Sequence, residues 1–337
     1  MISKPNPLFC ALCLMLVPAC SSSDDATPRS KPAKPRTNSD ADETPSEPPA
    51  PIVGLTQSAL SALWGSGPDD IWAVGGEGII LHFDGQQLAV VESGTTVRLQ
   101  AISGTGPDSI WAAGDEGITL HWNGEQFEEA FAAEREMVLG IWASAPNDVW
   151  FVGVIPLARA GLARHWDGET WHGQLVPGSA SLWEVWASSS DDLWFVGTNN
   201  DLEGLVYRGD GHDFSALDYT GAPLRGIWGS NGDDVWLLPY ESPPQHWDGQ
   251  QLSSTEPVSE SKMLGTWGSS SDDVWAVGLT GTIEHYDGES WTQVPSPTEE
   301  TLWSVWGSAP DDVWAAGGNG TLLRWNGDAW RVFATGG

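Results

Sequence analysis

The stretch "SVWGSAPDDVWAAGGNGTLLRWNGDAW", Ser304 to Trp330, holds a pair of carboxylates, four tryptophans and an Asn-Gly turn. Near copies of its first half begin at Ala62 (ALWGSGPDDIWAVG), Ala101, Gly140, Glu184, Gly226 and Gly265, so it is the seventh of a set. The second tryptophan of each copy falls at Trp72, Trp111, Trp150, Trp194, Trp236, Trp275 and Trp314, at intervals of 39, 39, 44, 42, 39 and 39 residues. A period of this length marks a supersecondary unit that buries its apolar surface only by stacking on its neighbours. Residues shared by all copies are therefore architectural in the first instance.

One repeat reads as four strands. In the first, ALSALWGS (Ala59 to Ser66) is apolar, and GPDD turns the chain with Pro68 at the second turn position. IWAVG, IILHF and QLAVVE follow, separated by the glycine turn GEG and by Asp84-Gly85, a pair suited to a two-residue hairpin. Four strands of about five residues with short turns consume roughly 40 residues, the observed period. The second strand is apolar on both faces of its pleat, which places its sheet between two others. Seven such sheets packed in a ring make an all-β fold, a seven-bladed β-propeller of four-stranded antiparallel blades, spanning 58–337.

The turn between third and fourth strands, seen in HWDGETW (His165 to Trp171) and HYDGESW (His285 to Trp291), resembles the Asp-box of the sialidase-like BNR propellers. The whole repeat is similar to those of bacterial secreted propeller proteins. The resemblance covers all seven units and implies a fold, since the boxes of that family are structural and lie away from its active sites.

The N-terminus carries Lys4 and then LFCALCLMLV, about ten apolar residues, too short to span a bilayer and suited to the core of a secretory signal (1–19). The following VPAC resembles a bacterial lipobox, with Val17 and Pro18 departing from its usual pattern, and implies lipidation of Cys20. In a Gram-negative cell Ser21 after it implies sorting to the outer membrane; the alternative is ordinary secretion from the same cleavage point. Residues 20–57, rich in Ser, Pro and Asp, read as a disordered tether. Beyond Cys20 the chain has no cysteine, so neither disulfides nor thiolate metal sites hold the ring. Its 40 carboxylates against nine Lys and Arg oppose nucleic acid as a partner and are read as maintaining solubility.

Most of the conspicuous residues fit the wall. The paired carboxylates, such as Asp69-Asp70 and Asp311-Asp312, recur once per blade at one turn, whereas acid/base chemistry needs carboxylates in unlike environments across a substrate. They are expected to accept backbone N–H bonds. His82, His121, His165, His246 and His285 share a slot that Arg208 and Arg324 fill in two blades, which a metal site could not accept, so a hydrogen-bonded strand-end role is expected and no metal or other cofactor. Thirteen of the 22 tryptophans occupy two slots eight residues apart, with Ser103 the one exception, and are expected to pack between blades. Trp183 and Trp303 stand outside those slots and are free for another use.

Departures from the repeat say more about function. From the second-strand tryptophan to the His/Arg slot there are ten steps in five blades, fifteen in blade three (VIPLARAG) and fourteen in blade four (TNNDLEG), while blade five replaces its glycine turn with PYESPPQ. Loops on a rigid scaffold are where recognition is placed. Arg159, Arg164, Asn199, Asn200, Asp201, Glu203, Tyr240 and Glu241 are accordingly the expected ligand-binding residues. The reading is a monomeric, membrane-tethered, extracytoplasmic propeller, not an enzyme, that binds a protein or glycan. The alternative is a sialidase-like glycoside hydrolase, for which that resemblance draws on Arg159, Arg164, Arg225, Tyr240 and Glu241.

Overall fold

A computed structural model describes residues 50–256 and 258–337; the expected signal, Cys20 and most of the expected tether lie outside them. The described residues form seven four-stranded antiparallel sheets, one per repeat. Blade one consists of Leu60–Gly67, Asp70–Gly75, Ile80–Phe83 and Leu88–Val91 from the channel outward. The expected seven-bladed propeller is the fold observed.

Alternation along the second strand builds the ring. Ile71 and Ala73 pack toward blade seven, in one cluster with Trp314, while Trp72 and Val74 pack toward blade two with Ile110 and Leu120. All four are at most 3 % exposed, so one strand serves two interfaces. Between inner strands, the indoles of Trp64, Trp186, Trp228, Trp267 and Trp306 lie flush on Gly104, Gly229, Gly268, Gly307 and Gly65 of the next blade, where a methyl would come within 3 Å of the ring. Ser103 replaces the tryptophan in blade two, and blade three has Ala143 where the glycine would be; the Ala143 amide donates to the Ser103 hydroxyl at 3.3 Å. Blade four has Ala187 in that slot even though blade three keeps Trp142, whose ring tilts against Trp186 at 6.2 Å.

Closure uses residues that the sequence reading assigned to the tether. Ile52–Val53 pairs in parallel with the outermost strand of blade seven, Trp330–Thr335, making that sheet five-stranded. Two residues without a repeat give no periodic signal, which is why the boundary at 57 falls too late.

The carboxylate pairs do something other than what was expected of them. Asp70 accepts from the Ser66 hydroxyl (2.5 Å), the Trp72 indole (2.8 Å) and His82 Nε2 (2.7 Å), and the imidazole lies flat on Trp72 at 3.9 Å. Serine, aspartate and histidine together do not make a catalytic triad here, because the carboxylate stands between the other two and no base faces the hydroxyl. Burial pushes the Asp70 carboxyl up, but the bonds from His82, Ser66 and Trp72 outweigh it and hold it below its usual range. Arg208 and Arg324 stand in for the histidine, each donating Nε to Asp192 or Asp312 (2.5 and 2.6 Å) and covering Trp194 or Trp314. The first carboxylate of the pair lies over the next hairpin. Gly85, at φ 84°, leaves no room for a Cβ against Asp69. Backbone N–H bonds are accepted instead by the Asp or Asn before that glycine, as when Asp84 Oδ1 takes the amides of Gln86 and Gln87.

Candidate functional site

Each inner strand carries a β-bulge one residue after a buried apolar position near its start, seen as a register shift at Leu60/Ala62, Leu99/Ala101, Val138/Gly140, Leu182/Glu184, Leu224/Gly226, Met263/Gly265 and Leu302/Ser304. A bulge re-aims the extra side chain. The seven bulge residues, Ser61, Gln100, Leu139, Trp183, Arg225, Leu264 and Trp303, all line one cavity of about 470 Å³ along the ring axis. The flanking position is uniformly apolar and buried, from Leu60 to Leu302. The bulge position is a serine, a glutamine, two leucines, two tryptophans and an arginine. Selection for packing would make this slot repeat; its variety fits a surface turned to a ligand.

Cations and aromatic rings gather on one side of the mouth. The Arg225 guanidinium lies 3.6 Å from the centre of the Trp183 ring and 5.1 Å from that of Tyr240. Its Nε is buried with no hydrogen-bond partner in the protein, and burial pushes its pKa down, a shift the Tyr240 hydroxyl opposes. Lys262 Nζ sits 4.7 Å from the Tyr240 ring and pairs with Glu241, whose hydrogen bond raises the ammonium's pKa. Tyr240 is held there by a hydrogen bond from its amide to Pro223 O (2.8 Å), the counterpart of Gly76 to Ala59 O in blade one. The altered turn of blade five therefore keeps the anchoring bond and adds a ring. Across the channel, Arg98 donates to the Ser61 hydroxyl at 3.3 Å.

One acid enters the wall. Glu184 stands where the other blades have Ala62, Ala101, Gly140, Gly226, Gly265 and Ser304. Its carboxyl occupies the space beside Gly140 and accepts from the Val185 amide (3.3 Å). Burial pushes its pKa up to about 8.

Of the residues the sequence reading named, Tyr240 and Glu241 belong to this cluster, and Arg225 joins them from the hydrolase alternative. Arg164 does not. It lies in the third strand of blade three, donating to both oxygens of Glu136 (2.9 and 2.5 Å) and covering Phe131. Arg159, at φ 48°, closes the turn after Pro156. Asn199 Oδ1 caps its own loop by accepting from the amides of Asp201 and Glu203 (2.9 Å each), and its Nδ2 donates to Glu203 (3.0 Å). Asn200 stands in that same turn. The longer hairpins of blades three and four thus order themselves, with Leu157 and Leu202 exposed at their tips. Sequence reasoning missed Arg98, Lys262 and Glu184; for Glu184 the signal available was its irregularity within an otherwise regular strand, while Arg98 and Lys262 stand just before their strands begin.

No protein-family model matches the chain, and no curated protein matches it in sequence. In shape it is similar to YCF48 from Cyanidioschyzon merolae (TM-score 0.65, 15 % identity, 80 % of this chain and 96 % of that one). A second structure, YCF48 bound to D1 peptide, gives 0.66 at 16 % identity over 82 % and 96 %. The WD40 β-propeller domain of Doa1 gives 0.64 at 11 % identity over 82 % and 94 %. Likeness at such identities establishes the class, a seven-bladed β-propeller.

Proposed function

We propose that the protein is a non-enzymatic binding module that takes a protein partner at the mouth of its central channel, on the face of the second-to-third-strand turns. The observation carrying this is the bulge ring, seven unlike side chains presented by seven like strands. A rigid wall that varies only where it meets the cavity suits recognition. The YCF48 structure holding a D1 peptide supports a peptide as the kind of object a propeller of this shape accepts. The signal-like N-terminus and the lipobox-like VPAC that ends at Cys20 support an extracytoplasmic, membrane-tethered setting, and in this reading the ring acts as a monomer. Glu241 pairs with Lys262 rather than with the Tyr240 hydroxyl, and Arg164 is committed to Glu136, so the contacts favour binding over glycoside cleavage.

Site-specific photocrosslinking in intact cells tests the proposal. A crosslinker at Leu264, in the mouth, should capture a discrete protein, and one at Val90, half-exposed on the outer strand of blade one, should not. Equal capture from both positions, or capture from Val90 alone, refutes the assignment.

A further inference from the structure

Four of the nine Lys and Arg residues of this acidic ring are committed to an acid. Arg164, Arg208, Arg324 and Lys262 each have a carboxylate, from Glu136, Asp192, Asp312 and Glu241. Arg135, Arg159 and Arg331 have no acid but are exposed to water, and Arg98 donates to the Ser61 hydroxyl. Arg225 is different: among the described residues no carboxylate pairs with it, and no acceptor of the protein reaches its buried Nε. A guanidinium withdrawn from water needs an acceptor of its own, and bidentate pairing with a carboxylate is the arrangement its geometry favours. Stacking between Trp183 and Tyr240 fixes the plane of the guanidinium, so its direction is set before any ligand arrives.

The surroundings define the rest of the ligand. Leu264 and Trp303 follow Arg225 around the bulge ring, and Trp303 is 37 % exposed, an apolar surface next to the cation. The inner strands are hydrogen-bonded on one side only, so every second backbone group along them faces the channel and can pair with another backbone. Phosphate or a sugar acid would use the arginine but neither the apolar wall nor the strand edge.

We infer that the mouth binds a peptide segment in which an aspartate or glutamate stands beside large apolar residues, its carboxylate on Arg225 and its apolar side chains on Leu264 and Trp303. This rests on the binding-module reading and names its ligand class. The ring's overall negative charge slows the approach of such a peptide, but at physiological salt that repulsion is screened beyond about 8 Å, leaving the local contact to decide.

The probes are the peptide Ac-Phe-Asp-Phe-NH2, its isostere Ac-Phe-Asn-Phe-NH2, inorganic phosphate and glucuronate, titrated by calorimetry into the full propeller. The aspartate peptide should bind at least tenfold tighter than the asparagine peptide, and Arg225→Gln should erase that ratio. Arg225→Lys, which keeps the charge, should retain part of it, and thermal melting of each variant shows that the ring is intact. The inference is overturned if the two peptides bind alike, if Arg225→Gln keeps the ratio, or if phosphate or glucuronate binds as tightly as the aspartate peptide. Crosslinking at Leu264 with no preference between the peptides would remove this inference and leave the binding module standing.

Discussion

Glu184→Gln should stabilise the ring, and the gain should grow with pH. The native carboxyl, enclosed beside Gly140, is pushed up to about 8, whereas in the unfolded chain it titrates near the ordinary 4.5. Below pH 4.5 both states hold the proton and the acid costs nothing. Between 4.5 and 8 the unfolded chain releases the proton while the fold retains it, so stability is lost as pH rises, and above 8 the loss is complete. At about 1.4 kcal/mol per tenfold in proton affinity, the full span comes to roughly 5 kcal/mol. Glu184 as a residue is only half-buried, since the channel reaches its stem, although its carboxyl is enclosed. The enclosed carboxyl sets the direction; water in the channel warrants about a halving, to ~2 kcal/mol at pH 8. Glutamine keeps the shape and the acceptor for Val185 without an ionisable proton. Urea denaturation at pH 5, 6, 7 and 8 should give curves that nearly coincide at pH 5 and separate by about 2 kcal/mol at pH 8. A variant that is no more stable at pH 8, or a wild type with no decline over this range, would refute the reasoning.

Four further outcomes are expected. Trp275→Ala, which empties a site 2 % exposed between blades six and seven, should cost roughly 3–5 kcal/mol by thermal or chemical unfolding. Asp70, Asp192 and Asp273 are held below their usual range by their clamps, so their contribution is present above about pH 4 and is lost as pH falls through their native values; acid unfolding should be shallower in a variant carrying all three as asparagine. Replacing Ile155 to Gly161 by the tight GEG turn of blade one should leave the melting temperature within a few degrees, because that hairpin orders itself, and circular dichroism reads the result. Cys20→Ser should release the protein from membranes into the soluble fraction of a cell lysate.

The blades were legible because a 39-residue period and an apolar second strand leave one way to bury both faces. The clamp was half legible. An Asp and a His twelve residues apart recur in blades one, five and six, but that the carboxylate faces the imidazole and not the turn depends on the second bulge, between Gly65 and Gly67, which swings Ser66 onto it. Loop length pointed to Tyr240, which joins the cluster at the channel mouth, but also to Arg164, whose partner Glu136 lies 28 residues earlier and in no motif. Arg98 and Lys262 were invisible for the opposite reason. Each sits next to a regular apolar position, and only the ring brings these separate blades to one opening.

The parallel pairing of Ile52–Val53 with Ala334 and Thr335 also sets an order in time. During synthesis these two residues emerge before any blade, yet their partners follow all seven second strands. Blades two to six can pack on one another while the chain is still growing, since each interface joins neighbours in sequence. Blade one must wait with its Ile71 face uncovered until Trp314 arrives, and the final stitch comes only once the seventh blade has been made. A chain cut before Ala334 would lose both register partners, and only the packing of Leu63, Ile71 and Ala73 on Trp314 and Ala316 would then hold the two ends of the ring together.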